Sequence, residues 1–389
     1  MRLTGILATA SVLAMAASPA MAEEQTLKIG ALVTQSGAGA SWGNGMLRAA
    51  ELAAEDVNKD GGLDVGGTRY HVEVIAYDDA YKANEAVTAA NRLVFEDKVK
   101  YIIGTVGSAP ILAIQPITEE NKVITMTLGF TAQALSPEKP YTFRPNPTTA
   151  EVAQPQIDWL VENQNIKTVG ALFPNDETGE AIAEDIAEAY KKAGAELTAK
   201  EFFERDRVDF IPLLTRIVAQ GVDAIELDGN SPVTAGQIVQ QARDIGFDGV
   251  IIRTGGPATQ EIVNVAGVAA TNGMFVHSAF NPNIESATAY QTRYVDTYGD
   301  QMNGFSPFFY DGTKMLFKAM QEAGTVDDTE AVKTALENIS DYEGVLGTMN
   351  WTGEDSYGIA HQLDSPFYIA RVEDGNEEIV ASCTTSGCE

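Results

Sequence analysis

The chain has 389 residues, with 55 acidic against 26 basic side chains and a formal net charge of −29. That balance excludes a nucleic-acid partner, since phosphate binding needs clustered Lys and Arg and here the bases are scattered. It equally opposes docking on an anionic membrane surface. An apolar share of 44% is ordinary for a globular protein, and the length exceeds what one hydrophobic core serves, so two lobes are expected.

Residues 1–22 read as a secretory signal peptide: Arg2 makes a short positive region, residues 3–17 are apolar, and Ala20-Met21-Ala22 is a small-x-small cleavage site. Thr9, Ser11, Ser18 and Pro19 interrupt the apolar run, which argues against a membrane span, and no Cys follows it to carry a lipid anchor. The mature protein is therefore expected free and soluble in an oxidising compartment. Strands are predicted at 27–33, 71–77, 101–105 and 123–127. They alternate with helices at 43–59, 84–97 and 110–121, the first presenting Met46, Ala50, Ala53 and Val57 on one face. After the extended, Pro-rich 140–147 stretch the series restarts. Helices at 149–163, 179–193, 210–220 and 233–245 alternate with strands at 168–173, 196–203, 224–227 and 250–253. A strand at 274–278, helices at 285–298, 307–322 and 329–338, and a hairpin-like tail at 344–380 complete the chain. Such alternation predicts an α/β fold of two doubly wound parallel-sheet lobes, whose ligands bind in loops at the carboxyl ends of the strands.

Those loops contain few catalytic signals. The 37–43 loop has G-x-G-x-x-x-G spacing, one residue too long for a dinucleotide fingerprint, and no strand-end acid follows, because Asp56 falls inside a helix. G-x-S-x-G, H-E-x-x-H and the P-loop are absent. Asp78 and Asp79 have the chemistry of a carboxylate pair, but neighbours at a strand end usually diverge, and one more often caps the following helix. Ser108 and Thr131 each follow a strand and precede a helical segment. They are either N-caps or, with nearby backbone N–H groups, a site for a small anion such as a carboxylate. Trp42, Phe130 and Phe305 are candidates for pocket walls or for core. Arg253, at a strand end in an acidic chain, is either a surface ion pair or the reader of an anionic group. Cys383 and Cys388, five residues apart in an oxidising setting, predict a local disulfide. A zinc site would need two more ligands, and His71, His277 and His361 are not at ligand spacing to the pair. No cofactor is expected.

In order along the chain, several segments resemble the solute-binding proteins of branched-chain amino-acid ABC transporters, the type I periplasmic-binding fold. These are Lys28-Ile-Gly, Ser36-Gly-Ala-Gly-Ala-Ser-Trp-Gly43, Asp56-Val-Asn-Lys-Asp-Gly-Gly62, Val74-Ile-Ala-Tyr-Asp-Asp79, Ile103-Gly-Thr-Val-Gly-Ser108, Gln240-Gln-Ala-Arg-Asp-Ile-Gly246, Tyr310-Asp-Gly and Trp351-Thr-Gly-Glu-Asp-Ser-Tyr357. The resemblance implies a hinge of three crossings, an N-terminal lobe of 23–145 and 277–350, and a C-terminal lobe of 146–276 and 351–389. It implies that Ser108 and Thr131 hold a ligand carboxylate, that the Gly129 carbonyl helps hold an ammonium group, and that Trp42 is the aromatic of the first loop. The sequence departs from the amino-acid-specific pattern in the 254–259 loop, Thr-Gly-Gly-Pro-Ala-Thr, which lacks the acid that pairs with an α-ammonium. Thr178 and Ser231, or Pro232, stand where those relatives have tyrosines, and Asp228 at a neighbouring strand end is a substitute partner for a cation.

The expectation is a monomeric periplasmic solute-binding protein, not an enzyme. It closes on a small organic acid, aromatic ones included, and delivers it to a membrane ABC permease. Amino-acid binding is the alternative ligand, and a secreted enzyme using the same cleft or a chemosensory receptor-presenting protein the alternative role.

Overall fold

The computed structural model describes residues 25–389, so the expected signal peptide lies outside the described residues. The first sheet has six strands in the order β2-β3-β1-β4-β5-β6: β1 Gln25–Val33, β2 Leu63–Val65, β3 Thr68–Asp78, β4 Tyr101–Val106, β5 Ile124–Leu128 and β6 Thr142–Phe143. All its pairings are parallel except that of β2 with β3. Every residue of β4 and β5 is buried, as befits the middle of a sheet covered on both faces. Helix α1 (Ala40–Lys59) turns Met46, Ala49, Ala50 and Ala53 inward at three- and four-residue spacing. It packs with the helix Ser306–Ala323 in a core that also takes Phe308, Phe309, Met315 and Leu316.

The second sheet has eight strands. Strands β7 Thr168–Pro174, β8 Glu196–Phe203, β9 Ala224–Glu226, β10 Val250–Arg253 and β11 Phe275–Ser278 pair in parallel in the order β11-β10-β9-β7-β8. On the β11 side an antiparallel extension follows, once a three-stranded sheet of β12 Tyr342–Gly344, β13 Gly347–Thr352 and β14 Gln362–Asp364 has been passed in the chain. That extension is β15 Phe367–Glu373, β16 Asn376–Thr384 and β17 Gly387–Cys388. Leu363 packs with the first core, and Phe367 with the second. Cys383 and Cys388 are disulfide-bonded and pair across β16 and β17.

Two differences from the sequence reading have simple causes. The helix expected over 84–97 is α-helical only at Ala83–Asn91 and continues as a wider turn at Arg92–Glu96. Two apolar residues of that turn, Leu93 and Val94, still reach the core, while Phe95 is exposed. The tail expected as one hairpin is split between two sheets. Two chain crossings run side by side at the split, where Arg144 N donates to the His361 carbonyl at 2.8 Å and Leu363 N to the Arg144 carbonyl at 2.9 Å. Among the described residues no helix is long and apolar enough to cross a membrane.

Candidate functional site

The carboxyl ends of both parallel sheets face one another across a cleft, where loops after β3, β4, β5, β7, β9 and β10 line a narrow space between the lobes. Of the ten residues singled out in the sequence, Trp42, Phe130, Thr178, Asp228, Arg253 and Phe305 line this space; Ser108, Gly129, Thr131 and Ser231 do not.

The aromatic wall comes from the first lobe. Trp42 and Phe305 are buried, and the Phe130 and Phe305 rings meet edge-on with centroids 6.1 Å apart. Trp42 Nε1 has no hydrogen-bond partner in the protein. Tyr81, which the sequence reading missed, also lines the space. It stands at φ +59, a left-handed conformation that an aromatic residue adopts only under constraint. The constraint is Asp79: its Oδ1 accepts from Tyr81 N at 2.9 Å, and its carbonyl from Lys82 N at 2.9 Å. The loop was marked by its position after a strand, but no local pattern distinguishes this tyrosine from a core one.

Ser108 is the first residue of the helix Ser108–Glu120, with Gly107 at the cap position, so the serine is inside the helix rather than ahead of it. Its Oγ accepts from Thr131 N at 3.1 Å, and its own N–H donates to Thr178 Oγ1 at 3.0 Å. The Thr131 hydroxyl oxygen caps the following short turn, accepting from Gln133 N at 3.3 Å. The Gly129 carbonyl accepts from Arg144 Nη1 at 2.9 Å. Ser231 caps the helix Pro232–Asp244 through Thr234 N at 3.2 Å.

The second lobe contributes the charged groups. Arg253 ends β10 and is only 1% exposed, which removes the reading of a surface ion pair. Its Nε donates to the Gly256 carbonyl at 2.6 Å, while Nη1 has no hydrogen-bond partner in the protein. Burial pulls this guanidinium below its ordinary pKa, against the opposing fields of Asp228, Glu261 and Glu226. Asp228 is buried beside it, and burial raises its carboxyl above the usual range. Its oxygens accept from Thr149 Oγ1 at 2.6 Å, from Gly229 N at 2.7 Å, and from the Gly255 backbone. A Cβ on Gly255 would stand 2.6 Å from Asp228 Oδ2, so no larger side chain fits at this position of the loop. Beneath them Glu226, pushed up to about 7 by burial and then by Asp228, accepts from Leu227 N, Asp228 N and Thr254 N.

Residues 26–377 match the family model described as periplasmic binding protein. An amino acid binding protein of Pseudomonas aeruginosa is 27% identical over 325 residues, 83% of this chain and 85% of that protein. The fold superposes on the branched-chain amino acid transporter substrate-binding protein of Streptococcus pneumoniae in complex with isoleucine. There the TM-score is 0.80 and the identity 24%, over 92% of this chain and 99% of that one. It superposes equally on an ABC-transporter solute-binding protein of Rhodopseudomonas palustris in complex with 3,4-dihydroxybenzoic acid. For that pair the TM-score is 0.78 and the identity 24%, over 93% and 98% of the two chains.

Proposed function

The chain belongs to the periplasmic binding protein family, and from that premise we propose that it captures a small organic acid with an apolar or aromatic body between its lobes and hands it, as a monomer, to an ABC permease. The observation that carries the ligand class is the imbalance of polar atoms in the cleft. The two lining side-chain atoms without a partner, Trp42 Nε1 and Arg253 Nη1, are both N–H donors, whereas the lining carboxylate, Asp228, already accepts from Thr149 and two backbone groups and sits beside Arg253. Buried donors call for an acceptor, and a buried guanidinium calls for an anionic one. Trp42, Phe130 and Phe305 would pack against the remainder of the solute. Trp42 belongs to one lobe and Arg253 to the other, so a solute touching both is held best when the lobes are together, which is what couples binding to closure. Ser108 and Thr131, bonded to each other through Ser108 Oγ and Thr131 N, support the wall behind Phe130.

A second reading, an amino acid, rests on Asp228, which lines the cleft at the place where a cation would meet it. A thermal-shift panel of benzoate, 3,4-dihydroxybenzoate, isoleucine and glucose separates the readings, because bound solute stabilises the folded state by mass action. The organic acids are expected to raise the melting temperature. A shift with isoleucine alone establishes the amino-acid reading, and a shift with glucose alone removes the carboxylate from the site.

A further inference from the structure

Two side-chain clusters join the lobes beside the cleft. Behind Tyr81 and Thr178 stands Arg205, just past the end of β8. Its Nη2 donates to the Tyr81 hydroxyl at 3.1 Å, and its guanidinium lies 4.7 Å from the centroid of the Tyr81 ring. The same guanidinium pairs with Asp176 through Nε and, at 3.0 Å, through Nη2. Asp176 caps the helix Glu177–Ala193, accepting from Thr178 N at 3.1 Å and Gly179 N at 2.9 Å. Thr178 Oγ1 in turn lies 3.2 Å from the Tyr81 hydroxyl and accepts from Ser108 N. Tyr81 and Ser108 follow strands of the first sheet; Arg205, Asp176 and Thr178 follow strands of the second.

Behind Phe305 stands the other cluster. Glu261, in the second-lobe helix Thr259–Ala266, accepts on Oε1 from Ser41 Oγ at 3.0 Å and from Asn303 Nδ2 at 2.9 Å. Asn303 Oδ1 accepts from Phe305 N at 3.0 Å, holding this wall residue at the cap of the helix Ser306–Ala323. Ser41 lies in α1, and Phe305 packs in the first core.

We propose that Arg205 and Glu261 are positioning residues which hold the lobes together independently of solute, so that part of the solute-free protein is already closed with Tyr81, Thr178 and Phe305 in place. Neither residue lines the cleft; each acts through a neighbour that does. Both contacts pair a charged group with hydroxyl or amide partners in sheltered surroundings, where such bonds are stronger than exposed ion pairs. A solute meeting a population that is partly closed loses less of its intrinsic affinity to the conformational change than one meeting an open population.

The experiment is small-angle X-ray scattering of protein stripped of solute by unfolding in guanidinium and refolding with its disulfide intact. Removing a hydrogen bond to a charged group should lower the ratio of closed to open protein roughly tenfold. Arg205→Gln and Glu261→Gln are therefore each expected to give a larger radius of gyration than wild type, with the melting temperature of the lobes preserved. Arg205→Lys, which keeps a cation over the Tyr81 ring, should return toward wild type, an outcome that loss of general structure would not produce. Tyr81→Phe, which keeps the ring and loses only the hydroxyl, serves if an Arg205 variant fails to fold. A wild-type protein that is fully extended without solute, or variants that scatter as wild type does, overturns the proposal.

Discussion

Arg253 is a buried cation whose nearest fixed charge is a carboxylate already engaged by three other donors. Arg253→Gln keeps a donor but removes the charge. Hydrogen bonds to charged groups contribute about 1.5–3 kcal/mol, so the affinity for the carboxylate that most raises the melting temperature should fall roughly ten- to a hundredfold in isothermal titration. Unchanged affinity would assign the acid to another group. Gly256 supports the same guanidinium from below. It sits at φ +64, and a Cβ there would lie 3.0 Å from Arg253 Nη2, so Gly256→Ala should weaken binding by moving Arg253 as well as straining the turn. Ser108 acts differently, because its Oγ satisfies the buried Thr131 N–H. Ser108→Ala leaves that donor unpaired at a cost of about 1–3 kcal/mol, and is expected to lower the melting temperature together with affinity. A variant that loses affinity at unchanged stability would show that the hydroxyl touches the solute directly.

At the scale of elements, the strand and helix series was legible because each parallel strand is a short apolar run and each covering helix repeats its apolar residues at three and four. What escaped was the detail of ends. The turn at Arg92–Glu96 and the placing of Ser108 inside its helix follow from packing against neighbours that local spacing does not reveal. The same holds for the tail, whose alternating residues announce strands without saying which sheet receives them. Its last hairpin is locked by Cys383–Cys388, which closes only a short loop. The chain-entropy account then gives about 2 kcal/mol of stabilisation. Reduction, or Cys383→Ser with Cys388→Ser, should lower the melting temperature by a few degrees and leave solute affinity unchanged, because neither cysteine lines the cleft. Stoichiometric thiol labelling without reductant would contradict the bond itself.

For the whole molecule, the acidic composition becomes a pH dependence through the acids that are buried. Asp311 is 1% exposed, its Oδ2 accepts from Val345 N at 2.9 Å, and burial raises its carboxyl from 3.8 to about 7. The unfolded chain releases this proton near pH 4, whereas the folded protein keeps it until about 7. Between those values the unfolded state binds fewer protons, and stability falls as pH rises, by up to about 1.4 kcal/mol per unit. His277 has the opposite sign: burial lowers it from 6.5 to about 3, so its contribution is lost as pH falls through that window. Asp311→Asn keeps an acceptor for Val345 N but cannot ionise. Relative to wild type, its melting temperature should therefore rise as pH is taken from 4 to 7; a constant difference across that range would mean that Asp311 does not titrate there.

The sequence by itself determined the two α/β lobes and the bonded cysteine pair, because periodicity, strand-to-helix order and five-residue spacing are local properties. It also singled out Trp42, Phe130, Phe305 and Arg253, residues whose chemistry is conspicuous wherever they fall. Only the tertiary structure decided which of them share a cavity, that Asp228 is bonded on several sides, and that Ser108 Oγ accepts from the Thr131 N–H. Tyr81, Arg205, Glu261 and Asn303 came to light only there, since their partners lie in the opposite lobe, as many as 220 residues away for Ser41 and Glu261. Burial and pairing depend on what the rest of the chain brings alongside, and no window along the sequence contains that information.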